Sequence, residues 1–212
     1  MTKPVLYSFY RSSASYRVRI ALGLKCIDYE YRAVNMVAEP GEQYAEAYKK
    51  LNPKCEVPTL LIDGVVLTQS LPIMEYLEET RGDQGCSLLP KDPVKRAIVR
   101  KLAELINSGI QPLQNHSVMR YLPPEVSREE WASHWINRGF QALESELKQC
   151  AGKYCFGDEL SMADICLVPQ VFNAHRFHVD MTPYPIISRI AATLQQIEAF
   201  KKAAPAAQPD AV

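Results

Sequence analysis

The chain has 212 residues, with 24 basic and 24 acidic side chains and a formal net charge of zero. Its 47% hydrophobic and 23% charged residues are ordinary for a globular protein of one large domain or two small ones. The charge balance offers no footprint for nucleic acid or another polyanion, and no apolar run approaches the roughly 18 residues that span a membrane.

The N-terminal stretch through Tyr7 has too short an apolar run for a signal peptide and is expected to lead into a first strand. The six cysteines are Cys26, Cys55, Cys86, Cys150, Cys155 and Cys166; they form no C-x-x-C pair and show no zinc spacing. Free thiols in a reducing, cytoplasmic compartment are expected. His116, His134, His175 and His178 have no carboxylate or cysteine at ligand spacing, so no metal is expected.

Val5–Phe9 reads as a strand, and Ala14–Leu24 as a helix with Val18, Ala21, Leu22 and Lys25 on one side. Between them stands Ser-Ser-Ala-Ser-Tyr-Arg-Val-Arg, residues 12–19. A strand thus delivers two serines to a helix start, where unpaired N–H groups and a partial positive charge favour an anion. A hydroxyl there can hold a thiolate jointly with the backbone. The plainer reading is that Ser12 or Ser13 caps the helix.

Tyr29–Val34 is rich in aromatic and β-branched residues and reads as a second strand. Glu42–Lys50 is expected to be helical and to end at Asn52-Pro53. Val57-Pro58 then opens an apolar run, and Asp63-Gly64 separates it from another, a strong hairpin signal. A cis proline at position 58 would turn the preceding peptide outward, leaving Val57 to pair with an extended peptide ligand. On local sequence an ordinary trans proline at a strand start is the simpler reading. Gln69-Ser70 precedes the helical run Ile73–Glu79, with Ser70 as N-cap and Pro72 in the first turn. Here a second anion site, suited to a carboxylate, competes with a plain cap.

The resulting order, β-α-β-α-β-β-α over residues 1–84, is that of a thioredoxin-like domain with a mixed sheet and helices on both faces. Gly82 to Pro93 has linker composition. Strand signals then vanish, and residues 93–212 are expected to form an all-helical domain. Asp92–Tyr121 is a long helical pattern with a break near Gly109 or Pro112. Ser127–Gln149 is a second, with Trp131, Trp135, Leu143 and Leu147 as its buried stripe. Ser161-Met-Ala-Asp164 is a capping box, which makes Asp164 a structural residue. A last helix is expected over Pro185–Lys202, with a frayed tail after it.

Taken together, the Ser-Ser-x-Ser-x-Arg-Val-Arg phrase, Val-Pro, Gln-Ser, the linker and Ser-Met-Ala-Asp resemble the zeta class of glutathione transferases, which includes maleylacetoacetate isomerase. The matching segments are Arg11–Leu24, Asn52–Leu60, Gln69-Ser70, Gly109–Asn115, Met162–Gln170 and Asp180–Pro185. Bacterial maleylpyruvate isomerases share much of the pattern.

The resemblance implies a homodimeric, glutathione-dependent enzyme of phenylalanine and tyrosine breakdown. Its reaction would be the cis–trans isomerisation of maleylacetoacetate to fumarylacetoacetate by reversible thiolate addition. By the same resemblance Ser12 holds the glutathione sulfur, with Ser13 and Ser15 beside it at the helix start. Val57 pairs with the cysteinyl backbone, and Gln69 and Ser70 take the γ-glutamyl carboxylate. Gln43, Gln111, Asn115 and Ser117 line the remainder of the site. Arg11, beside Ser12, and Arg176, in an Arg-Phe context, are the candidates for the substrate carboxylates. Arg17 and Arg19 are expected to make structural or interface contacts.

One position departs from the family pattern. The third place of Ser-Ser-Cys-Ser is here Ala14, so no cysteine can act there. The alternatives are maleylpyruvate isomerisation or transferase action on short α-haloacids in the same site. A non-catalytic binding module would predict a damaged thiol site, whereas Ser12, Val57, Gln69 and Ser70 are all present.

Overall fold

The computed structural model describes residues 3–212. They divide into two compact units: one runs through Ser87 and takes back Glu198–Val212, and the other is Leu88–Ile197. The break at Ser87 falls inside the linker-like stretch, but the second unit ends at Ile197 instead of continuing through the C-terminal residues.

The first unit contains β1 (Val5–Ser8), α1 (Ser13–Leu24), β2 (Glu30–Ala33), α2 (Glu46–Leu51), β3 (Thr59–Ile62), β4 (Val65–Thr68) and α3 (Ser70–Thr80). The sheet order is β2-β1-β3-β4, with β1 parallel to β2 and antiparallel to β3. Asp63 and Gly64 both take positive φ, 51° and 79°, and close the β3–β4 hairpin as the Asp-Gly signal requires. Leu6 and Leu60 on the sheet, Val18 and Leu22 on α1, and Ile73 and Leu77 on α3 are fully buried together with Ile20 and Met74. Helix α1 packs against α3 and against α9 (Glu198–Ala203) from the returning segment.

The register fixes where the loops emerge. Thr59 lies opposite Tyr7 of β1 on one side and opposite Thr68 of β4 on the other. The chain leaving β1, the chain entering β3 and the chain leaving β4 therefore meet at one end of the sheet. These are the segments that carry Ser12, Val57 and Gln69-Ser70.

The second unit consists of α4 (Pro93–Asn107), α5 (His116–Tyr121), α6 (Arg128–Cys150), α7 (Met162–Arg176) and α8 (Pro185–Leu194). Its helix starts carry the caps that the sequence advertises. Asp92 accepts from the Lys95 amide at 2.8 Å, and Ser127 accepts from the Glu130 amide at 3.2 Å. The capping box forms: one Asp164 carboxylate oxygen accepts from the Ser161 amide at 2.8 Å and hydroxyl at 2.9 Å. The other oxygen accepts from the Cys155 amide at 2.8 Å, so Asp164 also fixes the loop before α7. Burial pushes the Asp164 carboxyl up, and these hydrogen bonds oppose the shift.

Several expectations are corrected. Trp131 and Trp135 are only half-buried, and the inward stripe of α6 is Ala132, Ile136, Phe140, Leu143 and Leu147. The Trp131 indole sits at the edge, donating to the Leu113 carbonyl at 2.7 Å. The helix expected over Pro185–Lys202 is interrupted between Leu194 and Glu198, where the chain passes from one unit to the other. The segment expected as one helix over Glu42–Lys50 is a 3-10 turn, Glu42–Tyr44, followed by α2. The tail is not frayed: Asp210 accepts hydrogen bonds from the Tyr10 amide at 3.0 Å and the Tyr31 hydroxyl at 2.6 Å.

Candidate functional site

Helix α1 begins one residue earlier than the hydrophobic pattern indicates, at Ser13, with Ser12 as N-cap. The Ser12 hydroxyl oxygen accepts from the Ser15 amide at 3.2 Å, and the Ser12 amide donates to the Phe9 carbonyl at 3.0 Å. Capping uses one lone pair of the hydroxyl and leaves its proton to be donated elsewhere. Ser12 is half-buried, so that donor is reachable. Among the described residues the amides of Ser13 and Ala14 have no partner, as expected for a helix's first turn. Ser12 is therefore both a cap and an anion donor, readings that the sequence left as competitors. Ser13 is buried apart from its edge, and Ser15 is fully buried, so Ser15 reaches the site only through its amide bond to Ser12.

The Val57-Pro58 bond is cis. The turn before it is pinned from behind. The Tyr48 hydroxyl donates to the Glu56 carbonyl at 2.6 Å, and the Asn52 carboxamide donates to the same carbonyl at 2.7 Å. Both side chains also reach the Thr59 hydroxyl, at 3.0 and 3.2 Å. Burial pushes the Tyr48 phenol up to about 12, so it stays protonated as a donor. Among the described residues, the N–H and C=O of Val57 have no hydrogen-bond partner, which leaves a peptide edge for an extended ligand.

Gln69, not Ser70, is the N-cap of α3, and it makes no side-chain cap bond. It is exposed and holds φ 68°, ψ 126°, a region that favours glycine and costs a side chain about 1–3 kcal/mol. Ser70 is the first helical residue and is buried. Its hydroxyl accepts from Nη1 of the fully buried Arg17 at 3.1 Å. The plain-cap reading of Gln69-Ser70 thus fails on geometry. The helix start instead combines a strained residue, a buried hydroxyl and a guanidinium.

Two further candidates belong to the first unit. Gln43 is buried in the 3-10 turn, and its Oε1 has no partner among the described residues. A Cβ at Gly41 would collide with the Gln43 carboxamide, so glycine there makes room for it. Arg11 is half-buried, with its guanidinium carbon 5.7 Å from the Phe9 ring centre and 5.4 Å from that of Tyr10.

In the second unit, Gln111 lies in the 3-10 turn Gln111–Gln114. Asn115 caps α5, its Oδ1 accepting from the Ser117 amide at 3.3 Å. Gln114 is buried with both carboxamide atoms unpaired among the described residues. Arg176 is exposed at the end of α7, 4.9 Å over the Phe177 ring.

Residues 11–80 match the family model "Glutathione S-transferase, N-terminal domain", and residues 117–200 match "Glutathione S-transferase, C-terminal domain". A maleylacetoacetate isomerase of Mus musculus is 56% identical over 208 residues, which cover 98% of this chain and 95% of the mouse protein. The chain belongs to the zeta class of the glutathione transferase family.

Solved members of this glutathione transferase class share the architecture. A bacterial maleylpyruvate isomerase described as zeta class superposes with a TM-score of 0.91 at 44% identity, covering 98% of this chain and all of that one. A maleylacetoacetate isomerase from Anaeromyxobacter dehalogenans, solved with glutathione in its active site, gives 0.88 at 44% identity over 99% of this chain and 98% of its own.

In this glutathione transferase the sequence-derived residues Ser12, Val57, Gln69 and Ser70 emerge at one end of one sheet. Arg17 makes the structural contact expected of it, buried and donating to the Ser70 hydroxyl. Gln114 falls between two named candidates with no signal of its own, since nothing local tells a buried carboxamide from an exposed one.

Proposed function

We propose that this chain is a glutathione-dependent cis–trans isomerase that converts maleylacetoacetate to fumarylacetoacetate in phenylalanine and tyrosine breakdown, acting as a cytoplasmic homodimer. The observation that carries the proposal is the α1 start: a Ser12 hydroxyl with its proton free, above amides of Ser13 and Ala14 that have no partner among the described residues. Such a cradle favours a thiolate over a thiol. Bound glutathione supplies a thiolate that adds to the conjugated double bond and leaves after rotation. Ser12 steadies the sulfur, Val57 pairs with the tripeptide backbone, and Gln69, Ser70 and Arg17 receive its α-carboxylate end. On the first unit Gln43 extends the binding surface, and Arg11 takes a carboxylate of the dianionic substrate.

These residues fit glutathione on physical grounds. The tripeptide is an anion with a backbone edge and a thiol, and the first unit offers helix starts, an open peptide edge and a hydroxyl donor at one sheet end. The deciding experiment follows loss of the cis enedione absorbance with and without glutathione. Turnover only with glutathione is expected; equal rates in both would sink the reading. Maleylpyruvate is the second substrate to test, because a maleylpyruvate isomerase superposes at 0.91. The larger kcat/KM of the two substrates in parallel assays assigns the preference.

A further inference from the structure

We propose that Asp210 is a positioning residue for the Ser12 thiolate cradle: the C-terminal segment straps down the β1–α1 turn from which Ser12 and Arg11 project. The inference rests on the function proposed above and extends it to a residue outside the conventional site.

The turn Phe9-Tyr10-Arg11 lies beyond the end of β1 and has no strand partner of its own. Its backbone is held by side chains. The Tyr10 amide donates to Asp210 Oδ2 at 3.0 Å. The Tyr10 carbonyl accepts from Arg19 Nη2 at 3.0 Å, and the Phe9 carbonyl accepts from Arg19 Nη1 at 3.3 Å. That Phe9 carbonyl also accepts the Ser12 amide, so the clamp is one bond from the cap residue. Arg19 is itself tied to the returning segment, donating from Nε to the Ala203 carbonyl at 2.9 Å. The C-terminal segment therefore grips the turn twice, directly through Asp210 and indirectly through Arg19.

Packing reinforces the strap. Ala211 lies against the cluster formed by Phe9, Tyr10, Val34, Tyr48 and Val57, which joins the Ser12 turn to the peptide edge at Val57. The Arg11 guanidinium stacks on the same Phe9 and Tyr10 rings. A shift of Tyr10 would thus move the sulfur cradle and a substrate-facing cation together. Asp210 is oriented by the Tyr31 hydroxyl, which donates to Oδ1 at 2.6 Å. Burial pushes the Tyr31 phenol up, and its hydrogen bond to the Asp210 carboxylate adds to the shift, so that donor stays protonated.

The test uses the full-length enzyme with glutathione. Asp210→Ala removes the acceptor for the Tyr10 amide. Asp210→Asn retains one acceptor oxygen for that amide and offers its NH2 to the Tyr31 oxygen. Misplacement of the cradle predicts that Asp210→Ala lowers kcat about tenfold. It also predicts that the thiol of bound glutathione, followed by ultraviolet thiolate absorbance against pH, ionises at higher pH. Asp210→Asn restores both readouts. Tyr31→Phe, which loses the phenol's bonds to Oδ1 and to the Ser8 side chain, serves as a variant that perturbs the same corner while leaving the Tyr10 bond in place, and keeps kcat within about threefold. Wild-type kcat and wild-type thiol ionisation in Asp210→Ala would overturn the proposal, as would equal kinetic losses in Asp210→Ala and Tyr31→Phe. If the wild type itself shows no glutathione-dependent isomerisation, the functional reading fails, while thiol ionisation still judges the strap.

Discussion

Arg17 donates from Nη1 to the Ser70 hydroxyl at 3.1 Å, and this bond joins the helix that Ser12 caps to the helix that Gln69 opens. A buried guanidinium needs partners, because removing a charge from water is costly unless it is paired or hydrogen-bonded. Its place behind Ser70 gives the start of α3 a positive charge in addition to its helix dipole. A carboxylate at Gln69-Ser70 would therefore meet both.

The two residues should be energetically coupled. Ser70→Ala and Arg17→Met, made singly and together, are expected to show an interaction of about 1–2 kcal/mol in urea denaturation. Each single variant should also raise KM for glutathione more than it lowers kcat, since the bond supports binding of the non-reacting end. Strictly additive stabilities with an unchanged KM would show that the bond is incidental.

Ser12 carries two separable roles, and substitution can divide them. Ser12→Ala loses the cap and the hydroxyl, with an expected stability loss of about 0.5–2 kcal/mol and a large fall in kcat. Ser12→Asp keeps a capping oxygen for the Ser15 amide but provides no proton and places a negative charge against the sulfur. It is expected to stay near wild-type stability in thermal melts while losing turnover about as fully as Ser12→Ala. An active Ser12→Asp enzyme would mean that capping is all that Ser12 supplies.

What the sequence made legible was mostly local. Asp63-Gly64 closes its hairpin, and Ser161 and Asp164 form their box, because turn and cap chemistry is written within four residues. The Ser12 cap was legible for the same reason, whereas the cis Val57-Pro58 bond overturns the simpler local reading of a trans proline, and Ser70 is the first helical residue and not the expected cap. What stayed hidden depends on distant chain. Nothing near Arg17 says that it ends beneath Ser70, and nothing in the Ala- and Pro-rich tail says that Asp210 returns to Tyr10. The positive φ of Gln69 was also unreadable, since glutamine carries no left-handed signal and the fold imposes the conformation. The tryptophans of α6 misled because their bulk suggests core, whereas their periodicity is one residue off the stripe that Ile136 and Phe140 occupy.

Lys25 and Glu78 form a buried ion pair at 2.7 Å, with the lysine side chain fully enclosed. Lys25 Nζ also donates to the Arg81 carbonyl at 3.0 Å, and Glu78 accepts from the Ser87 hydroxyl at 2.7 Å. The pair thereby closes the end of α3 against α1. Removing one partner leaves the other charge buried and is expected to cost about 3–5 kcal/mol. The double variant Lys25→Met/Glu78→Leu should recover a large part of that loss, since two apolar side chains leave no orphan charge. Chemical denaturation of the three variants checks it; a double variant no more stable than either single one would contradict the argument.

The cysteines should react in an order set by burial and ionisation. Cys26 and Cys86 are exposed, while Cys155 and Cys166 are buried. Burial pushes the Cys155 thiol well up, and the nearby Asp164 carboxylate adds to the shift. The thiolate is the reactive form, so the buried Cys155 thiol is inert in the native enzyme. A thiol reagent should therefore modify Cys26 and Cys86 in the native enzyme, and Cys155 and Cys166 only with unfolding. Native-state labelling of Cys155 at the rate of Cys26 would reveal opening of the loop that Asp164 holds.

Ala14 stands where the resemblance to the zeta class leads one to expect cysteine, and its position explains why the difference is expected to be small. It is the second residue of α1, and what it presents to a bound sulfur is a backbone amide with no partner among the described residues. Any residue but proline at position 14 leaves that amide in place. With glutathione providing the reacting thiol, a protein thiol at this position adds a contact and no chemical step. Ala14→Cys is accordingly expected to change kcat by less than about tenfold, below 1.4 kcal/mol of barrier. The more sensitive readout is the ratio of kcat/KM values for maleylacetoacetate and maleylpyruvate, because a larger side chain beside the sulfur alters the room for the substrate. A gain in kcat above tenfold would establish that the missing thiol takes part in the reaction.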